Sequence, residues 1–210
     1  EREVVELVNK AERQVHQALD EEFSIEEVEE ATESLNYYKA GAADGTKNPM
    51  FKCGGHTMNA KLHILFNHLR KEEVLPVGWG SSEVVNLYKE GDKTDPGNYR
   101  GIALISCLGK IYLSLWARRL ATSLEPELSE EQGGFRRWRS TIDQALTLKE
   151  ILFQRKASGN STYVCFVDFR KAFDTVWHDG LWKRLWDSKV QGKPWRILRK
   201  LYSTIRSSVR

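Results

Sequence analysis

Asp168 closes a run of apolar residues, Thr162 to Phe169 (TYVCFVDF), and a second carboxylate, Asp174, follows six positions later. The β-branched and aromatic residues of that run predict a buried central strand, apolar on both faces. A carboxylate placed there costs several kcal/mol unless it is paired or bound to a metal. Two readings of Asp168 stand on these residues alone. It caps the strand end or pairs with Arg170, or it holds divalent cations for phosphoryl transfer. In the second case two ions about 3.5–4 Å apart would activate a hydroxyl and stabilise a leaving pyrophosphate. Other clusters point elsewhere. Cys53, His56, His63 and His68 raise the question of zinc. His63 and His68 are five apart on a predicted helix, about 140° around its axis, so they do not converge on one ion. Trp182 and Trp186, at i and i+4, read as core packing more than as a stacking platform. Asp44-Gly45 is too short for a calcium or phosphate loop.

The elements that must carry these residues are mostly helical. Val4, Leu7, Val8, Ala11, Val15 and Leu19 follow helical spacing. Ser24 and Glu27 form a capping box that starts a second helix, with Phe23 able to staple onto Val28, and Gly41 is its expected end. A third helix covers Asn59 to Leu69. Glu83 to Lys89 reads as a strand, Gly91-Asp92 as its turn, and Gly101 to Ser106 as the partner strand. A helix from about Leu108 to Leu124 follows, and Pro126 forbids much continuation. Ser140 with Asp143 opens another capped helix, released near Gly159-Asn160. Two helices end the chain, one bearing Leu181, Trp182, Leu185 and Trp186. The other starts at Pro194 and bears Trp195, Leu198, Leu201 and Ile205. The class is α+β with helices dominant.

Composition narrows the function classes. The chain has 210 residues, 40% apolar and 29% charged, as a globular protein does. No run approaches 18 apolar residues, so no membrane span is expected. There is neither a signal peptide pattern nor an initiator Met at Glu1, which points to a piece cut from something longer. Three scattered cysteines argue against a disulfide framework and for a reducing interior. The net charge of +3 hides a gradient. Residues 1–33 hold 12 acidic and 3 basic side chains, whereas residues 134–210 hold 17 basic and 6 acidic. A basic back third suggests contact with a polyanion; solvated helix faces rich in Lys and Arg are the alternative.

Tyr163 to Trp177 (YVCFVDFRKAFDTVW) resembles the first palm motif of non-LTR (LINE-type) retrotransposon reverse transcriptases. Four further segments agree in order. Residues 39–46 (KAGAADGT) resemble the family's entry into the fingers. Pro76 to Trp79 with Val84 to Asp92 (VVNLYKEGD) resembles the first fingers strand and turn. Asn98 to Lys110 (NYRGIALISCLGK) and Gln132 to Gln144 (QGGFRRWRSTIDQ) resemble the next two motifs. Together they cover roughly Phe23 to Tyr202.

The resemblance implies a right-hand polymerase fold. It would have a helical extension over 1–22, helical fingers with a short β-hairpin over 23–160, and the first strand and helices of the palm over 161–210. It implies an RNA-directed DNA polymerase that uses Mg²⁺ (Mn²⁺ possible) and deoxynucleoside triphosphates on an RNA template and DNA primer. It would act in the nucleus and cytoplasm of a eukaryotic host, with neither a membrane nor another small-molecule cofactor. Asp168 matches the catalytic, metal-binding aspartate, and the carbonyl of Phe169 a neighbouring metal and nucleotide contact. Phe173 matches the aromatic beneath the incoming sugar, and Asp174 a position that braces the turn. Lys89 and Arg100 match basic residues that clamp the triphosphate, where charge neutralisation does most of the work. Gln132, Gly133, Gly134, Phe135, Arg136 and Arg139 match the template-contacting segment, with Arg137 between them. Trp138 departs from the family, which usually has a small residue there, often Gly. The family's Pro-Gln-Gly motif, Asp-Asp hairpin and thumb do not occur in these residues. The chain by itself is therefore expected to be inactive, and a non-catalytic nucleic-acid-binding remnant is the rival reading. A purely structural helical domain is a third.

Overall fold

A computed structural model describes residues 2–11, 18–39, 41 and 44–209. Val15, expected in the first helix, and Ala40, Ala42 and Ala43 of the fingers-entry segment lie outside the described residues.

Ser24 starts a helix for a local reason. Its hydroxyl accepts the Glu27 N–H (3.2 Å), and the Glu27 carboxylate accepts the Ser24 N–H (2.8 Å), so two orphan amides are satisfied at once. This helix, α2 (Ile25–Glu33), follows α1 (Arg2–Ala11). The described part of the first helix reaches Ala11, and Leu19 sits buried in a turn. Helix α2 ends early, at Glu33 instead of Gly41. The Ser34 hydroxyl donates to the Ala31 carbonyl (2.8 Å), and Asn36 accepts the Tyr38 N–H (3.0 Å). Short polar side chains that bond their own backbone compete with helix continuation. Helices α3 (Asn48–Lys52) and α4 (Gly55–Glu72) come next.

The β-hairpin pairs β1 (Ser81–Tyr88) with β2 (Tyr99–Leu104), antiparallel, with Leu87 opposite Arg100 and Tyr88 opposite Tyr99. Helices α5 (Cys107–Leu124), α6 (Thr141–Ala157), α7 (His178–Asp187) and α8 (Lys193–Thr204) follow. Ile205, expected inside the last helix, is its C-terminal cap. A strand not anticipated from the sequence, β3 (Arg206–Val209), runs parallel to β1 and completes a sheet of order β2-β1-β3. Its Arg-Ser-Ser-Val sequence has no apolar alternation. The pairing exists because the free edge of β1 supplies amides and carbonyls to it.

One expectation is overturned. Thr162 to Phe169 is not a buried strand: it is irregular and exposed, with Tyr163 at 96% and Phe166 at 84%. A strand is held by its neighbours' hydrogen bonds, and among the described residues none lies alongside. Helix α6 likewise buries none of its residues.

Two apolar clusters hold the helices. In the larger, Phe23, Val28, Phe66, Trp79, Tyr112 and Trp116 meet where α2, α4 and α5 cross. In the smaller, Val4, Leu7 and Ala11 of α1 pack on Trp182 and Trp195. Helix α8 serves both, with Ile197 in the first and Trp195 in the second. A polar layer pins residues 19–23 to the helices. Asn67 accepts the Phe23 N–H (2.8 Å) and donates to its carbonyl (2.9 Å). Arg119 reaches both Glu27 oxygens at 2.7 Å and lies over the Phe23 ring. Burial would raise the Glu27 pKa, but Arg119 and the Ser24 amide outweigh it and hold the carboxyl below its usual range. Part of the acidic N-terminal charge is therefore paired within the chain, and Glu30 with Arg118 (3.1 Å) adds a surface pair to this.

Tyr112 gives a pH-dependent prediction. Its hydroxyl is buried without a hydrogen-bond partner. Burial pushes its pKa up to about 12. The folded state keeps this proton while the unfolded chain releases it near its ordinary value of about 10. The contribution is complete below pH 10 and is lost at up to about 1.4 kcal/mol per unit as pH rises toward 12. Tyr112→Phe should match or slightly exceed the parent in urea at pH 7, because a buried unpaired hydroxyl is removed. It should also show a shallower alkaline loss. Equally steep limbs in both proteins would contradict this account.

Candidate nucleotide and nucleic-acid site

Lys89 and Arg100 flank a turn that the chain builds before any ligand arrives. Asp92 accepts both the N–H and the hydroxyl of Thr94 at 2.8 Å, and Asp95 accepts the Gly97 N–H at 2.7 Å. Asn98 donates to the Asp92 carbonyl (2.9 Å), and the Tyr88 hydroxyl to that of Gly91 (2.6 Å). The Lys89 amide closes on the Asn98 carbonyl at 2.9 Å. Asx turns of this kind fix backbone geometry locally. Both basic side chains stand exposed on a preorganised hairpin.

The segment from Gln132 to Ser140 is also internally braced. Arg136 is spent inside the loop. Its side chain is only 6% exposed, it pairs with Glu125 (2.8 Å), and it donates to the Ser129 carbonyl (2.7 Å). Arg139 pairs with Glu130 at 2.6 Å. Gln132 donates to the Gly134 carbonyl at 3.4 Å. A methyl group at Gly133 would press on Gln144, whereas one at Gly134 would meet nothing, so no packing within the fold requires glycine at 134. At the far end Asp143 and Ser140 form the capping box of α6.

Phe135 and Trp138 both sit in the left-handed backbone region, each at φ 62°, and their rings are 93% and 98% exposed. For a bulky residue that conformation costs roughly 1–2 kcal/mol. The Phe135 ring meets Phe173 edge-on, with centroids 6.2 Å apart. The fold thus joins Phe173 to the Gln132–Ser140 loop. Read from the sequence alone, Arg136, Arg137 and Arg139 have one and the same role, on template phosphates. Only burial separates them: Arg136 is enclosed, whereas Arg137 lines an apolar cavity with Phe135 and Trp138.

Asp168 and Phe169 lie on the exposed segment before a turn in which Asp174 and Thr175 donate their amides to the Lys171 carbonyl (2.9 and 3.1 Å). Among the described residues no three His, Cys, Asp or Glu side chains converge on a metal position. Asp168 supplies one hard oxygen donor of the kind Mg²⁺ takes. By themselves these residues do not make a metal site.

Residues 89–210 match the family described as reverse transcriptase (RNA-dependent DNA polymerase). The chain belongs to that family. Its relatives place it on the LINE-type, non-LTR branch. It is 31% identical over 160 residues to "Probable RNA-directed DNA polymerase from transposon BS" of Drosophila melanogaster, covering 75% of this chain and 18% of that protein. It is 30% identical over 183 residues to the RNA-directed DNA polymerase from mobile element jockey of the same fly, covering 80% and 20%. It is 30% identical over 125 residues to the Pol polyprotein of the R2 element of Popillia japonica, covering 60% and 16%. The chain spans about a fifth or less of the length of these relatives. No described helix is long and apolar enough to cross a membrane.

Proposed function

We propose that these residues form the fingers and the first part of the palm of an RNA-directed DNA polymerase that copies a retrotransposon RNA. The observation that carries this reading is the family match over residues 89–210, which takes in the Lys89–Arg100 hairpin, the Gln132–Ser140 loop and Asp168. On this reading residues 1–22 form a helical extension, 23–160 the fingers and 161–210 the palm entry of a right-hand fold. Lys89 and Arg100 grip the triphosphate, with Arg able to engage phosphate oxygens in a bidentate manner. Phe173, braced edge-on by Phe135, supports the sugar. Asp168 and the Phe169 carbonyl offer oxygen ligands to Mg²⁺ or Mn²⁺, and no further carboxylates converge with them among the described residues. The template and primer are RNA and DNA, and the incoming substrates are deoxynucleoside triphosphates. We place this activity in the nucleus and cytoplasm of a eukaryotic host.

The property testable on the 210 residues themselves is nucleic-acid binding. Single-stranded RNA should bind with an affinity that falls steeply with salt, because each neutralised phosphate releases counterions. Fluorescence anisotropy at 50 and 200 mM salt measures it, and an affinity indifferent to salt would contradict the basic surface of residues 134–210.

A further inference from the structure

We infer that Trp138, with Phe135 and Arg137 beside it, forms a base-stacking subsite for an unpaired nucleotide, where the resemblance expects only a small residue at position 138. The inference rests on the nucleic-acid-binding reading above and adds a particular contact to it. A cavity of about 520 Å³ opens between the C-terminal end of α5 and the Gln132–Ser140 loop, lined by Leu124, Pro126, Leu128, Phe135, Arg137 and Trp138. That volume falls within the range of about 300–1,000 Å³ usual for small-ligand sites. Its walls are mainly apolar and aromatic, as the face of a base requires.

Charge decides which occupant fits. Glu125 also lines the cavity, but Arg136 neutralises it through two contacts, at 3.0 and 2.8 Å. Arg137 has no carboxylate partner among the described residues and stands at the same cavity. The mouth is therefore cationic beside an exposed indole, within the part of the chain that carries 17 basic and 6 acidic residues. A base stacked on Trp138 with its phosphate at Arg137 uses both features, whereas an apolar peptide would leave the guanidinium unused. Aromatic platforms beside cationic grooves bind single strands with little sequence preference, since every base has a π-face. Trp138 is also held at φ 62°, in a conformation that glycine adopts freely. Trp138→Gly therefore removes the ring without threatening the loop.

The 210-residue chain would be titrated with fluorescein-labelled 12-mers of uridine RNA, of thymidine DNA, and of an abasic strand carrying the same phosphates. The parent should prefer the base-bearing strands over the abasic one. Trp138→Gly should lose on the order of tenfold in affinity for them and little for the abasic strand, and Trp138→Phe should retain most of the preference. Arg137→Gln should weaken all three and lower the salt slope by about one. A loss in Trp138→Gly for both RNA and DNA supports a shared stacking site, and a loss for RNA alone assigns it to RNA. Salt-dependent binding with an unchanged base preference in Trp138→Gly would overturn the subsite and leave the wider reading standing. If no strand binds even at low salt, both fall.

Discussion

Asp168→Ala is expected to abolish DNA synthesis in a polymerase that contains these residues together with the Asp-Asp pair they lack. Phosphoryl transfer depends on charge placed at the attacking and leaving oxygens, and loss of a single such stabilising group already costs about 10²–10³ in kcat. A metal-bearing carboxylate should cost at least that much. The loss should fall on kcat, because Asp168 is exposed and no part of either core cluster needs it. Stability in urea should be unchanged, which separates a chemical defect from a folding one. The 210-residue chain should extend no primer above a buffer control. Primer extension that survives Asp168→Ala would show that the carboxylate does not serve the reaction.

Trp116→Ala should have the largest effect on stability. The side chain is buried and stacks edge-on against Phe23, with centroids 5.0 Å apart, and against Tyr112 at 6.2 Å. Truncating a buried Trp to Ala costs about 3–5 kcal/mol through lost transfer energy and the cavity left behind. Two terms work the other way. The indole N–H has no hydrogen-bond partner, so deleting it returns about 1 kcal/mol. Alanine also improves the helix by about half a kcal/mol. A net loss of about 2.5 kcal/mol is a large share of the 5–15 kcal/mol that a typical domain has. Urea unfolding of parent and variant measures it, with Trp138→Gly as the exposed control. A loss below about 1 kcal/mol would mean that α5 does not centre the core in the way described.

What the sequence by itself determined was whatever depends on near neighbours. The capping boxes at Ser24–Glu27 and Ser140–Asp143 were legible because each is closed by groups three residues apart. The β1–β2 hairpin was legible for a related reason, since its turn residues bond to one another. The ordered motifs named the family, because chemistry at a phosphate demands particular residue types whatever surrounds them. The tertiary structure decided what depends on distant partners. The TYVCFVDF run has the composition of a strand, but composition cannot supply the neighbour a strand requires. The polar Arg206–Val209 segment became one because β1 offered it an edge. Arg136 and Arg137 are adjacent and chemically identical. Glu125, eleven residues before Arg136, turned that one inward and left its neighbour at the cavity, a difference of place that residue type does not encode.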